Sequence, residues 1–335
     1  MRRLPLNGAL QRNTIKRKLT LTENVSLKET SRIEIISLMD NAVDFLSSPT
    51  RQEARGFCQW SKSHKEMPIA EHGFSMLIRV YSDQEGCSIL FDTGTSPHGV
   101  VENAARMEID LKEVAYVVLS HGHYDHFGGL KAAIKVINNP DLQVIAHENM
   151  FRRRGNANSK GEIREYAALP KTEELSPAKF VYNKEPLLIA QDLACVTGEI
   201  PRKTGFETGL MQNRIFINGT WQPDHLIIDD RALVFRVKGK GLVVISGCAH
   251  AGIINTIRYA QQITGVSRVY AVLGGFHLAG REFEKRIEHT IRELRQINPT
   301  IIGGGHCTGW RALNAMAEAF PEAFVFNSVG AFYNL

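Results

Sequence analysis

Apolar positions along the chain gather into two series of short runs with helical patterns between them. The first series is RIEIISLMDN (32–41), GFSMLIRVY (73–81), SILFDTG (88–94), AYVVLSH (115–121) and LQVIAHE (142–148). Runs of this length, bounded by Gly, Asp or Asn, predict strands. Between them HGVVENAARMEI and GLKAAIKVINN carry apolar residues at three-and-four spacing, which predicts helices, and the second stops at Asn-Asn-Pro. The second series is LACVTGEI (193–200), DHLIIDDRALVFRVK (224–238), GLVVISG (241–247), SRVYAVLGGFH (267–277) and PTIIGGGH (299–306). AGIINTIRYAQQIT, REFEKRIEHTIRELRQI and GWRALNAMAEAF interleave with it as helices.

The stretch Lys238-Gly239-Lys240-Gly241 reads as a hairpin turn, because glycine supplies the positive φ angles such turns need. Hairpins beside helix-linked strands predict an α+β fold of two mixed sheets covered by helices, in preference to one doubly wound parallel sheet. The polar segment 152–177 separates the two series and reads as a long loop or lid, with a helix around 163–169 as the other reading. Residues 1–31 read as a basic leader: Arg2, Arg3, Arg12, Lys16, Arg17, Lys18 and Lys28 face only Glu23 and Glu29. The leader lacks the apolar stretch of a secretory signal, so a flexible tail is expected before a domain spanning 32–335.

Composition narrows the class. With 335 residues, 43% hydrophobic and 22% charged, the chain has a globular balance, and no apolar run approaches the roughly 20 residues of a membrane span. The net charge of +5 leaves the body nearly neutral, with no sustained basic stripe for nucleic acid. Cys58, Cys87, Cys195, Cys248 and Cys307 are scattered without a C-x-x-C pair, which points to reduced thiols and a cytoplasmic location.

The chemistry concentrates in AYVVLSHGHYDHFGGLKAAI (115–134). His121 and His123 lie two residues apart at a strand end, so both side chains point to one side, and Asp125 and His126 follow where the chain turns. Such a set suits zinc, with iron or manganese as alternatives. His250, His277 and His306 each follow an apolar strand through small residues, in ISGCAH, VLGGFH and IIGGGH, and would join the first group if those strand ends share an edge. His64, His72, His98, His147, His225 and His289 have no such context. FDTGTS (91–96) carries the Asp-Thr-Gly of aspartic proteases, but only one copy is present where two carboxylates must share a proton. Asp92 is therefore read as a carboxylate orienting a metal-binding histidine.

These residues resemble the metallo-β-lactamase superfamily: an Asp-ending strand at LFDTG, then VLSHGHYDHFGG matching H-x-H-x-D-H. More narrowly, EHGFS, TGEIPR, SGCAHAGIIN, LGGFHL and GGHCTG resemble the subgroup named for 7,8-dihydropterin-6-ylmethyl-4-(β-D-ribofuranosyl)aminobenzene 5'-phosphate synthase. The resemblance implies a four-layer αββα sandwich with two divalent metal ions at one edge of the sheets. Two places depart from the commoner pattern. Thr197-Gly198-Glu199-Ile200 stands where many members have Thr-Pro-Gly-His, and Gly247-Cys248 stands where they have Gly-Asp, with His250 two residues on. Glu199 and Cys248 are thus open as ligands, and His250 is favoured as the replacement.

The resulting expectation is a hydrolase whose metal ligands are His121, His123, Asp125, His126, His250 and His306, with Asp125 and His277 acting in catalysis. Arg202 and Lys203, and the run Arg152, Arg153 and Arg154, are candidates to pair with the phosphate of a small-molecule substrate. A pterin-linked transferase and a metal-bound sensor without turnover are the competing readings.

Overall fold

The computed structural model describes residues 24–62, 66–83 and 85–335. Two mixed sheets face one another across the main core. The first runs Lys179–Tyr182, Gln143–Ala146, Val114–Val118, Gly86–Phe91, Ser75–Tyr81, Arg32–Met39, Phe332–Asn334, Ala54–Arg55. The second runs Leu187–Ile189, Ala194–Val196, Ala232–Val237, Gly241–Ser246, Val269–Gly275, Ile301–Gly305, Phe324–Phe326. Alternate residues split between the two faces of each strand. Met76, Ile78, Val80, Ile89 and Phe91 meet Leu233, Phe235, Val243, Ile245 and Leu273 between the sheets. Leu77, Leu90, Val117 and Val144 turn outward onto the helices Gly99–Arg106 and Leu130–Ile137. Val272 and Ile302 likewise pack against Ile253–Thr264, Ile287–Ile297 and Trp310–Ala319. Both faces of both sheets are covered, which is the αββα sandwich and explains why the strands read as unbroken apolar runs.

Strand direction puts the chemistry at one edge. Gly86–Phe91, Val114–Val118 and Gln143–Ala146 pair in parallel, as do Gly241–Ser246, Val269–Gly275 and Ile301–Gly305. Parallel strands end on the same side. Asp92, the 121–126 group and His147 therefore leave one edge of the first sheet, and Cys248, His250, His277 and His306 leave one edge of the second.

Two boundaries differ from the sequence reading. The fold begins before residue 32: Val25 and Leu27 are buried against Val234, Leu242 and Val244, and Glu29–Thr30 pairs in parallel with Arg236 and Val237. Two apolar side chains at strand spacing suffice to dock this segment although basic residues surround it in sequence. The rest of the basic leader, residues 1–23, lies outside the described residues. The polar segment 152–177 carries two short strands and a 3-10 turn, with irregular chain between and after them. Arg154–Ala157 and Ile163–Glu165 form a hairpin that joins Asn213–Ile217 and Thr220–Pro223 in a small third sheet, so the helical alternative around 163–169 is replaced by a strand. Among the described residues no helix is long and apolar enough to cross a membrane.

Candidate metal centre

At the shared edge, His121 Nε2 lies 3.0 Å from His123 Nδ1 and 3.0 Å from His250 Nε2. Burial pushes the pKa of all three rings down, that of His123 to about 3; neighbouring imidazoles push the same way, as do Arg154 for His121 and His123 and Arg202 for His250, while Asp125 and Asp229 oppose the shift at His123. They are neutral bases, and each neutral ring has a single N–H to place between facing nitrogens. Tetrahedral ligands at a zinc–nitrogen distance of about 2.0–2.1 Å stand roughly 3.3 Å apart. The triangle fits one ion. Ser120 Oγ, 2.9 Å from His121 Nδ1, and the Asn213 amide, 3.3 Å from His123 Nε2, hold the outer ring nitrogens.

A second group adjoins it. Asp125 Oδ2 lies 3.4 Å from His306 Nε2, 3.5 Å from His72 Nε2 and 3.7 Å from His126 Nε2, and His126 Nε2 is 3.2 Å from Cys248 Sγ. The donor atoms of His121, His126 and Cys248 lie within 4.8 Å of one another, as do those of His72, Asp125 and His306, and those of Cys248, His306 and Cys307. His306 Nε2 is buried with no hydrogen-bond partner, an orphaned nitrogen that a cation would satisfy. Burial raises the Asp125 pKa, but His126 and His306 outweigh it and hold the carboxyl well below its usual range. Burial lowers His126, while Asp125 and Asp92 reverse the direction to a net increase. Burial and the neighbouring Cys307 raise the Cys248 thiol; a bound cation would favour its thiolate.

Orienting contacts surround both groups. Asp92 Oδ2 lies 2.7 Å from His126 Nδ1, and Asp92 Oδ1 accepts the Ser120 N–H at 2.7 Å. Asn41 Oδ1 is 3.1 Å from His306 Nδ1, and Asp40 Oδ1 accepts the His306 N–H at 2.8 Å. Asp92 and His306 adopt left-handed backbone (φ 59° and 48°), an unfavourable conformation held here by the surrounding contacts. Beneath the His-Gly-His turn, the buried Arg154 donates to Asp224 Oδ2 and Asp229 Oδ2, each at 2.8 Å, and Asp229 Oδ2 accepts the Gly122 N–H at 2.9 Å. A side chain at Gly122 would strike Arg154 and the Met150 backbone, so the turn requires glycine.

The structure thus brings His121, His123, Asp125, His126, Cys248, His250 and His306 together. It places four other residues differently. Glu199 is outside these clusters, with its Oε1 3.0 Å from His147 Nε2. His277 lies beside His250, ring centroids 4.5 Å apart and planes tilted by 51°, and its buried Nδ1 has no partner. The Arg202 guanidinium donates to the His250 carbonyl at 2.5 Å and to the Leu226 carbonyl, which ties it to the backbone behind the site. Lys203 is exposed and bonds Gln262 Oε1 at 2.9 Å. Of the three-arginine run, Arg153 pairs with Glu165 and Arg154 is buried in its ion pairs.

Sequence reasoning missed His72, Asp40, Asn41, His147 and the Arg154–Asp229 pair. Asp40-Asn41 follows the strand Arg32–Met39 as Asp92 follows Gly86–Phe91, a signal present in the chain but unused.

The family model described as the metallo-beta-lactamase superfamily matches residues 69–210. A Methanocaldococcus jannaschii protein named 7,8-dihydropterin-6-methyl-4-(beta-D-ribofuranosyl)-aminobenzene-5'-phosphate synthase is 34% identical over 266 residues, covering 76% of this chain and 87% of its own. The chain belongs to the metallo-β-lactamase superfamily. An uncharacterised protein of the same organism is 33% identical over 271 residues, covering 78% of this chain and 93% of its own. A crystal structure described as a metal-dependent hydrolase of the beta-lactamase superfamily superposes with a TM-score of 0.68 at 26% identity, covering 90% of this chain and 98% of that one. In this metallo-β-lactamase chain, His250 and not Glu199 completes the nitrogen triangle with His121 and His123.

Proposed function

We propose that the protein is a metal-dependent hydrolase that holds two divalent ions, zinc first, and cleaves an ester or phosphate-bearing small molecule. The observation that carries this reading is the triangle of buried, neutral imidazoles, with His121 Nε2 3.0 Å from a nitrogen of each of the other two and all three donors within 4.8 Å, beside the Asp125–His306 group. His121, His123 and His250 would hold one ion; Asp125, His126, His306 and Cys248 would hold the other. When bound, such ions polarise a substrate oxygen and acidify water at neutral pH.

The chain's own groups supply orientation and proton transfer. Asp92 and Asn41 fix the His126 and His306 rings so that Nε2 of each faces inward. His72 Nε2, 3.5 Å from Asp125 Oδ2 on a side chain 61% exposed, offers a proton held there a way to solvent. His277 is the further proton-handling residue of this reading. A cytoplasmic location accords with the absence of disulfides among the five cysteines.

The 34% identity to a protein named as a synthase favours one second reading, a transferase joining a pterin to an aminobenzene ribotide phosphate. The two separate on product. Zinc-reconstituted protein supplied with a single ester or phosphodiester should turn it over if it is a hydrolase, and lose that turnover with chelator. Pyrophosphate release that requires both a pterin diphosphate and an aminobenzene ribotide, with no cleavage of any single ester, would establish the transferase instead.

A further inference from the structure

A single amide stands between two histidines beside Asp125. Asn41 follows the strand Arg32–Met39, and its backbone N–H donates to Asp40 Oδ1 at 2.6 Å, which anchors it. Its side chain makes three contacts. Oδ1 lies 3.1 Å from His306 Nδ1, and Nδ2 lies 3.3 Å from the His306 carbonyl oxygen and 3.2 Å from His72 Nδ1. The carbonyl decides which end of the amide is which, because a carbonyl oxygen only accepts and Nδ2 is the only end that donates. The ring tautomers follow. Oδ1 can only accept, so His306 Nδ1 carries the hydrogen of the neutral ring and Nε2 keeps its lone pair. Nδ2 can only donate, so His72 Nδ1 is the lone pair and Nε2 carries the hydrogen. The rings are stacked, centroids 5.0 Å apart at 27°, and their Nε2 atoms lie 3.4 and 3.5 Å from the same Asp125 oxygen. They face that oxygen in opposite states.

We infer that Asn41 is a positioning residue that holds His306 as a metal ligand and His72 as a hydrogen-bond donor. His72 is then no ligand of the second ion, although its donor atom lies within 4.8 Å of those of Asp125 and His306. At 3.5 Å its contact with Asp125 is loose, which leaves the Nε2–H to a substrate oxygen held beside the carboxylate. Nε2 takes up no proton while the ring rests on Asn41, so proton exit through His72 requires this exposed ring to turn off the amide. The inference deepens the proposed function and rests on it for the claims that an ion faces His306 and that a substrate reaches His72.

The test is nitrogen NMR of the full, zinc-free chain isotope-labelled at histidine, at about pH 8, above the ordinary histidine range near 6.5. His72 and His306 are assigned from the signals lost in their single variants. His72 is expected to be unprotonated at Nδ1 and His306 protonated there. Asn41→Asp, whose carboxylate only accepts, should put a proton on His72 Nδ1 and leave that of His306 in place. In the zinc-loaded enzyme His72→Leu should keep its zinc and raise the KM of a cleaved ester about tenfold, the loss of one hydrogen bond. His72→Gln, which keeps an N–H near that position, should recover most of it. Matching tautomers in the two rings, a His72 ring indifferent to Asn41→Asp, or loss of zinc or an unchanged KM in His72→Leu overturns the inference. Should wild-type protein bind no zinc or cleave no ester, the proposed function falls, and the zinc-free spectra still decide the tautomers.

Discussion

Each ring of the centre depends on the group behind it. Asp92 Oδ2, 2.7 Å from His126 Nδ1, sets which nitrogen of that ring faces the cluster. Asp92→Ala is expected to lower metal affinity about 10- to 100-fold, measured by competition with a chromogenic chelator; unchanged affinity would show that the ring needs no such support. His123→Ala removes a donor outright and should lower bound metal and abolish turnover together, as elemental analysis and an ester assay on the same sample would show. At this scale the sequence was most legible where donors are close in the chain. The 121–126 group declares itself through local spacing, whereas the displacement of Glu199 onto His147 depends on how a turn from the second sheet meets a strand end of the first. No local pattern encodes such a meeting. His250 and His306 were legible because each follows an apolar strand.

The small third sheet shows what an element does that single residues do not. Its strand Arg154–Ala157 delivers Arg154 under the His-Gly-His turn, where burial opposes the charge and Asp229 and Asp224 outweigh it. Asp229 in turn is held well below the usual carboxylate range, burial raising its pKa and Arg154 reversing the direction. Asp229→Asn leaves a buried guanidinium with one carboxylate fewer and should destabilise the fold by about 3–5 kcal/mol at pH 7 in chemical denaturation. The sign with pH follows from linkage. A carboxyl with a depressed folded-state pKa stabilises above its unfolded value near 3.8, and that contribution is lost as pH falls through lower values. The stability gap between wild type and Asp229→Asn should therefore be full at neutral pH and narrow below about pH 4; a gap independent of pH would remove the charge from the explanation. Polar composition hid this element, because its strands are three to five residues long and show no alternation of apolar and polar positions that sets them apart from a loop.

Over the whole molecule, two sheets with apolar layers on both faces bring six strand ends to one edge. The layers were legible because every strand buried on both faces is an apolar run. The start of the domain was not, since Val25 and Leu27 and a two-residue strand pairing dock a short segment that follows a basic stretch of sequence. A centre assembled from both sheets also links them. Zinc binding should raise the thermal unfolding midpoint with the logarithm of free zinc above Kd, with about 2.7 kcal/mol gained at a free zinc concentration of 100 times Kd; an unchanged midpoint would place any bound ion outside this edge. The most direct measurement is anomalous diffraction at the zinc edge from crystals of the zinc-loaded protein. Two peaks are expected, one amid His121 Nε2, His123 Nδ1 and His250 Nε2, the other beside Asp125, His126 and His306. Density absent from both positions, with zinc found only on surface side chains, would contradict the account.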